Sequence, residues 1–127
     1  MDAVTRFLQS EGLQPTARNF LGTDFPLGHV VETEHFSLTY RLDGNRLVLC
    51  DFAGREDDAG SVLSVLSLLR RMTKRVPEIA VIDAMILSAP NDAALDRARR
   101  RLTDVMVAEG AQPIFLDDAY WLRYTCH

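Results

Sequence analysis

Three serines recur at every third position, Ser61, Ser64 and Ser67, and each carries a hydroxyl that could serve as a nucleophile. A hydrolase serine needs a sharp turn that exposes its oxygen and a base within hydrogen-bond reach. No Gly-x-Ser-x-Gly occurs, so the repeat reads as a surface stripe or a packing seam. Asp83 is the second candidate, an acid inside the apolar run EIAVIDAMIL (78–87). Buried without a partner, it would be costly and would hold its proton tightly. A strand end or an arginine partner is the expected resolution. Cys50, Cys126, His29, His35 and His127 show no metal-ligand spacing, so zinc, haem and iron–sulfur chemistry are not expected. Two cysteines also make no disulfide framework. Cys50, in RLVLCDF, reads as a small buried hydrophobe, and Cys126 as a thiol without a role. No catalytic, cofactor-binding or metal-binding residue emerges, and no cofactor is expected.

Charge is unevenly spread. Residues 1–64 hold five basic and ten acidic residues, and residues 65–127 hold nine basic and eight acidic. Much of the basic charge lies in RRMTKR (70–75) and RARRR (97–101). On a helical wheel Arg97 and Arg100 lie opposite the apolar stripe, with Arg99 and Arg101 flanking it. Asp96 and Asp104 stand four residues either side of Arg100, at ion-pair spacing. A nucleic-acid-reading helix keeps its positive charge un-neutralised, and this chain has a net charge of −4. Nucleic acid is therefore not the expected partner. Arg97, Arg100 and Arg101 are the candidate residues for docking an acidic protein, the alternative being a helix face that is merely solvated.

These residues need elements to place them. The 127 residues, 47% hydrophobic and 25% charged, fit one ordinary globular domain spanning 1–127. No apolar run approaches the ~20 residues of a membrane span. The amphipathic, acid-bearing start resembles no signal or transit peptide, which points to the cytoplasm. Val4, Phe7 and Leu8 mark a first helix over 2–11, stopped by Gly12. Residues 14–35, punctuated by Pro15, Gly22, Pro26 and Gly28, read as a loop with one short extended piece near 29–33. Alternation over 36–42 and the run 46–52 predict a hairpin turned by Asp43-Gly44-Asn45.

A helix over 59–76 follows, capped by Asp57 or Asp58 and ended by Pro77. Val62, Val65, Leu66, Leu69, Met72 and Val76 form its stripe. Leu63 and Leu68 lie off it, so its apolar surface is broad enough to touch more than one layer of the fold, or a partner, a second copy included. Residues 78–87 suit a strand buried on both faces, beside the hairpin. Asn91 or Asp92 caps a helix over 93–109, which Gly110 closes. Residues 114–124 read as two short strands around Asp117-Asp118, or one bulged strand. The fold class is α+β: a mixed β-sheet with an N-terminal helix, a β-hairpin and two crossover helices. Leu66, Leu69, Ile82, Met85, Leu102 and Met106 are the expected core.

A hairpin followed by helix, strand, helix and closing strands resembles the core of the GNAT acetyltransferases. In that family acetyl-CoA pyrophosphate rests on an Arg/Gln-x-x-Gly-x-Gly/Ala turn at the start of the first crossover helix. The matching segment here is Arg55-Glu56-Asp57-Asp58-Ala59-Gly60. Arg55 and Gly60 fit, but Asp58 replaces the first glycine. Up to three carboxylates crowd a site that must accept a pyrophosphate. The resemblance therefore implies a topology rather than acetyl transfer.

A second resemblance covers most of the chain. L-Q-S-E-G-L (8–13), L-G-T (21–23), P-L-G (26–28) and F-S-L-T-Y-R (36–41) come first. S-A-P (88–90), R-R-R-L (99–102), G-A (110–111) and a late aromatic strand with Trp121 follow. This order resembles the low-calcium-response protein R family, small cytoplasmic regulators encoded with bacterial type III secretion systems and virulence. The resemblance implies a non-enzymatic regulator that acts through protein–protein binding. It implies a partner in the secretion apparatus, related to the gatekeeper or to the needle-tip protein. It carries over no site residues. A type III secretion chaperone, small, acidic and dimeric, is the neighbouring alternative, and would present exposed apolar patches.

Overall fold

The computed structural model describes residues 2–19, 23–24, 26–54 and 59–126. Asp2 starts the chain's first element by accepting the Thr5 amide at 2.7 Å, which caps α1 (Ala3–Ser10). The Thr5 hydroxyl also donates to Asp2, at 3.0 Å, and lies 2.7 Å from the Tyr40 hydroxyl, tying the helix to the sheet. Val4, Phe7 and Leu8 are buried as the pattern predicts.

Residues 14–35 do not form the predicted loop. They hold an antiparallel pair, β1 (Thr16–Asn19) and β2 (Pro26–Glu32), in register at Thr16↔Val30 and Ala17↔His29. Two physical causes hid it. β1 lies at the sheet edge with all four residues exposed, so it carries no alternation. Pro26 heads β2, a position where a proline is tolerated. Gly28 serves packing rather than a turn. Its φ is +150°, and a Cβ there would collide with the Tyr40 carbonyl oxygen.

β3 (Phe36–Asp43) and β4 (Arg46–Gly54) form the predicted hairpin, with Gly44 at φ +61° in the turn. Leu49 faces Tyr40 and Asp51 faces Thr39, so Cys50 is an extra residue, a β-bulge. α2 (Ala59–Arg75) buries five of the stripe residues, and Leu68 as well, and the sixth, Val76, is buried just past its end. Only Leu63 of the two off-stripe leucines stays outside, at 65% exposure. The broad apolar surface is thus largely absorbed within the chain, where α1 and α3 both pack on α2. The predicted caps Asp57 and Asp58 lie outside the described residues.

β5 (Val81–Ala84) is four residues long, not ten. It pairs parallel with β4 from Arg46↔Val81 to Leu49↔Ala84, and the ladder ends where Cys50 breaks register. Hydrophobicity reports burial, and pairing ends before burial does. Met85 and Ile86 are half-buried, Met85 less deeply than the rest of the expected core, and Leu87 is exposed. The other five predicted core residues are buried.

Asp92 caps α3 (Ala93–Ala108), accepting the Leu95 amide at 3.1 Å. Gly110, at φ +107°, closes it, with Gly110 N–H donating to Val107 and Ala111 N–H to Met106. β6 (Gln112–Leu116) and β7 (Ala119–Thr125) are two strands, turned by Asp117 and Asp118, both at positive φ.

The seven strands make one sheet in the order β1-β2-β3-β4-β5-β7-β6, with β4 and β5 its one parallel pair. Side chains from all three helices join Val31, Leu38, Leu47, Leu49, Ile82 and Ala84 in one hydrophobic cluster. Alternate strand residues point the other way. Val30, Thr39, Val48 and Asp83 are buried on that second face, outside the helix-covered cluster.

Candidate functional site

α3 sorts the predicted arginines by their position around the helix. Arg97, Arg100 and Arg101 are exposed on its outward side. Arg100 pairs with Asp96, through Nε at 2.9 Å and a second nitrogen at 2.6 Å. Among the described residues it makes no ion pair with Asp104, so one of its two predicted partners is used. Asp96 also accepts the Ala89 amide at 2.9 Å. That backbone bond, then the Arg100 guanidinium, holds its carboxyl below the usual range.

Arg99 behaves differently. Its side chain is 13% exposed and reaches the sheet. Nε donates to the Phe52 carbonyl at 2.8 Å, and the terminal nitrogens to the Leu87 carbonyl at 3.3 Å and to Asp51 at 2.7 Å. It thereby ties the end of β4 to the segment that follows β5. The space beneath, between Leu49, Phe52, Ala84 and Met85, is about 10 Å³. That is scarcely room for one water. Beside α3 a larger groove of about 270 Å³ runs past Ile86, Leu87, Ser88 and Thr103, with Arg100 on its lip. Leu87 is 58% exposed on its wall.

Asp83 has the arginine partner the sequence called for, in fact two. Arg123 grips both carboxylate oxygens at 2.8 Å, and Arg46 donates to one of them at 2.5 Å. The carboxylate is fully buried. Burial pushes its pKa up, but the hydrogen bonds and charges of Arg123 and Arg46 outweigh this and hold it below the usual range. The carboxylate is therefore an anchored anion and not a proton donor. Arg46 also lies over the Trp121 ring, 5.1 Å from its centroid. Sequence reasoning missed both partners. The signal was one arginine in each strand that flanks β5.

The remaining candidates resolve as structure. Ser61 is buried and donates to the His35 carbonyl at 2.7 Å, while Ser67 is exposed and accepts from Arg71 at 2.6 Å. Cys50 is half-buried at the bulge, not a core hydrophobe, and burial raises its pKa. Cys126 is half-buried too. Tyr40 is pushed up to about 12, chiefly by burial, against the lowering bond with Thr5. No group of three or more His, Cys, Asp or Glu able to hold a metal ion occurs among the described residues. No helix among them is long and apolar enough to cross a membrane. Arg55–Asp58, the heart of the acetyl-CoA comparison, lie outside the described residues. Comparison with protein-family models, with curated proteins and with solved structures brought no match.

Proposed function

We propose that the chain is a non-enzymatic cytoplasmic regulator of bacterial type III secretion, and that it acts by docking an acidic protein on α3. One observation carries this reading. Arg100 lines a groove whose wall exposes Leu87, and Arg97 and Arg101 are exposed on the same helix. An apolar contact ringed by charge is the usual anatomy of a protein interface. Arg99 fixes the helix to β4, so the backbone that carries these arginines is anchored before a partner arrives. That lowers the ordering cost of binding. The type III context comes from the sequence resemblance. The filled space under Arg99 supports the non-enzymatic half of the reading, because an acyl-CoA threaded between β4 and β5 would have to displace that guanidinium.

The test is co-purification of the tagged chain from cells that express the secretion operon, with Arg97, Arg100 and Arg101 all changed to Glu. Rim charges govern association rate and salt dependence. The expected result is loss of the gatekeeper or tip-related partner, disturbed secretion control and an unchanged circular dichroism spectrum. Equal capture of that partner by the folded variant, at low and at physiological salt, sinks the proposal. A chaperone, acting as a homodimer, is the second reading. It is favoured by Phe115 and Tyr120, 61% and 75% exposed with their ring centroids 4.9 Å apart on the β6–β7 hairpin. Partner capture abolished by Phe115→Ser and Tyr120→Ser, and spared by the arginine changes, would select it.

A further inference from the structure

The sheet face turned away from the helices carries a concavity of about 510 Å³. Two features open it. β5 ends at Ala84 while β4 runs on to Gly54, and Cys50 bulges where the two strands lose register. Thr39 and Val48, each 1% exposed, form its floor. Leu27 and Met85 supply apolar walls, and the Trp121 indole lines it from β7. Arg18 on β1 and Arg41 on β3 bring guanidinium groups to it. Cavities of roughly this size, mostly apolar with a few placed polar groups, hold small organic ligands.

Charge decides which kind. Asp51, the acid in the lining, is already paired with Arg99 at 2.7 Å. Arg41 has Asp43 beside it at 2.9 Å. Arg18 reaches the Thr39 hydroxyl at 3.4 Å and has no carboxylate partner among the described residues. Behind Trp121, Asp83 faces two arginines. Positive charge is thus in excess around the concavity, on a chain with 18 acidic residues against 14 basic ones. A guanidinium matches a carboxylate in shape as well as charge. We propose that this concavity binds a small aromatic carboxylate. Its ring lies against Trp121, Met85 and Leu27, and its carboxylate lies between Arg18 and Arg41, near the Thr39 hydroxyl.

Trp121 is the sole tryptophan of the chain, so its emission reports on this site alone. The probes are benzoate and phenylacetate, each against its neutral amide, with calorimetry to fix stoichiometry. The expected result is a saturable, one-to-one change in emission, with each acid binding at least tenfold more tightly than its amide. Arg18→Gln with Arg41→Gln removes that preference while circular dichroism stays unchanged. Should the pair fail to fold, Arg18→Gln alone, on the exposed edge strand, must still weaken the acid several-fold. Acid and amide binding equally, no saturable change, or a folded variant that keeps the preference would each overturn the proposal.

Discussion

Replacing Asp83 with asparagine keeps the shape of the side chain and removes its charge, so it isolates what the buried carboxylate does. Three hydrogen bonds, two from Arg123 and one from Arg46, end on its two oxygens. Asparagine offers one acceptor oxygen, and its amide nitrogen would confront a donor. Breaking a buried pair from one side typically costs about 3–5 kcal/mol, because a charge is left without compensation. Here the stranded side chains are only partly buried, Arg46 at 20% and Arg123 at 34% exposure, so water can reach part of each, although one terminal nitrogen of Arg46 is buried. The expected loss is therefore at the lower end, about 3 kcal/mol. A domain of ordinary stability, ~5–15 kcal/mol, would survive it and remain measurable.

Urea unfolding of the two proteins at neutral pH reads this loss directly. The effect also has a pH signature. The folded-state pKa of Asp83 lies below its unfolded value, so the unfolded chain binds the proton first as pH falls. The contribution of Asp83 is complete above about pH 4, the unfolded range, and is lost as pH drops through the folded pKa. The gap between wild type and Asp83→Asn should hold from neutral pH to about 4 and close only below it. A gap under ~1 kcal/mol at neutral pH, or one that already closes near pH 6, refutes the account.

Leu102, 1% exposed beneath α3, should cost about 2–5 kcal/mol on change to alanine in the same assay, and a smaller loss would mean that the site collapses around the cavity. Arg99→Ala should cost about 1–3 kcal/mol by stranding partly buried acceptors, and should speed hydrogen exchange at the β4 end while leaving α1 protected. Unchanged exchange there would show that Arg99 does not hold the strands together. Calorimetric titration with acetyl-CoA at moderate salt should show no micromolar affinity, and tight stoichiometric binding that depends on Arg55 would return the chain to the acetyltransferases.

What the sequence revealed depended on whether a pattern had one cause. The stripe of α2 and the alternation of Phe36, Leu38 and Tyr40 mark residues buried in the helix-covered core, and both elements stand where the pattern put them. Thr16–Asn19 forms a strand through edge pairing alone, with no buried face, so its residues carried no sign of it. EIAVIDAMIL is largely apolar over ten residues because the core is near, yet only Val81–Ala84 are strand, and the ladder with β4 stops at the bulge at Cys50. At the candidate sites, the wheel placed Arg97 and Arg100 outward, where they are exposed, and put Arg99 and Arg101 alike at the flanks, of which only Arg101 is exposed. It could not assign Arg99 its carbonyl partners, which lie 47 and 12 residues away. The concavity around Trp121 was equally invisible, because β1, β2, β3, β4 and β7 each contribute to it and it exists only once those strands have paired.

The position of β7 sets an order on assembly. It comes after β6 in the chain, yet lies between β5 and β6 in the sheet. Among the described residues β6 pairs with the sheet through β7 alone. Until residues 119–125 arrive, β5 is an open edge, and Asp83 has Arg46 but not Arg123. A nascent chain can therefore build the β1–β4 meander, whose neighbours are consecutive, well before it can close the sheet. Closure waits for the synthesis of β7, and the last ion pair to Asp83 forms at that step. A chain interrupted before Ala119 would carry a bare strand edge and a half-neutralised cluster, the two features a quality-control protease or a holding chaperone is best placed to find.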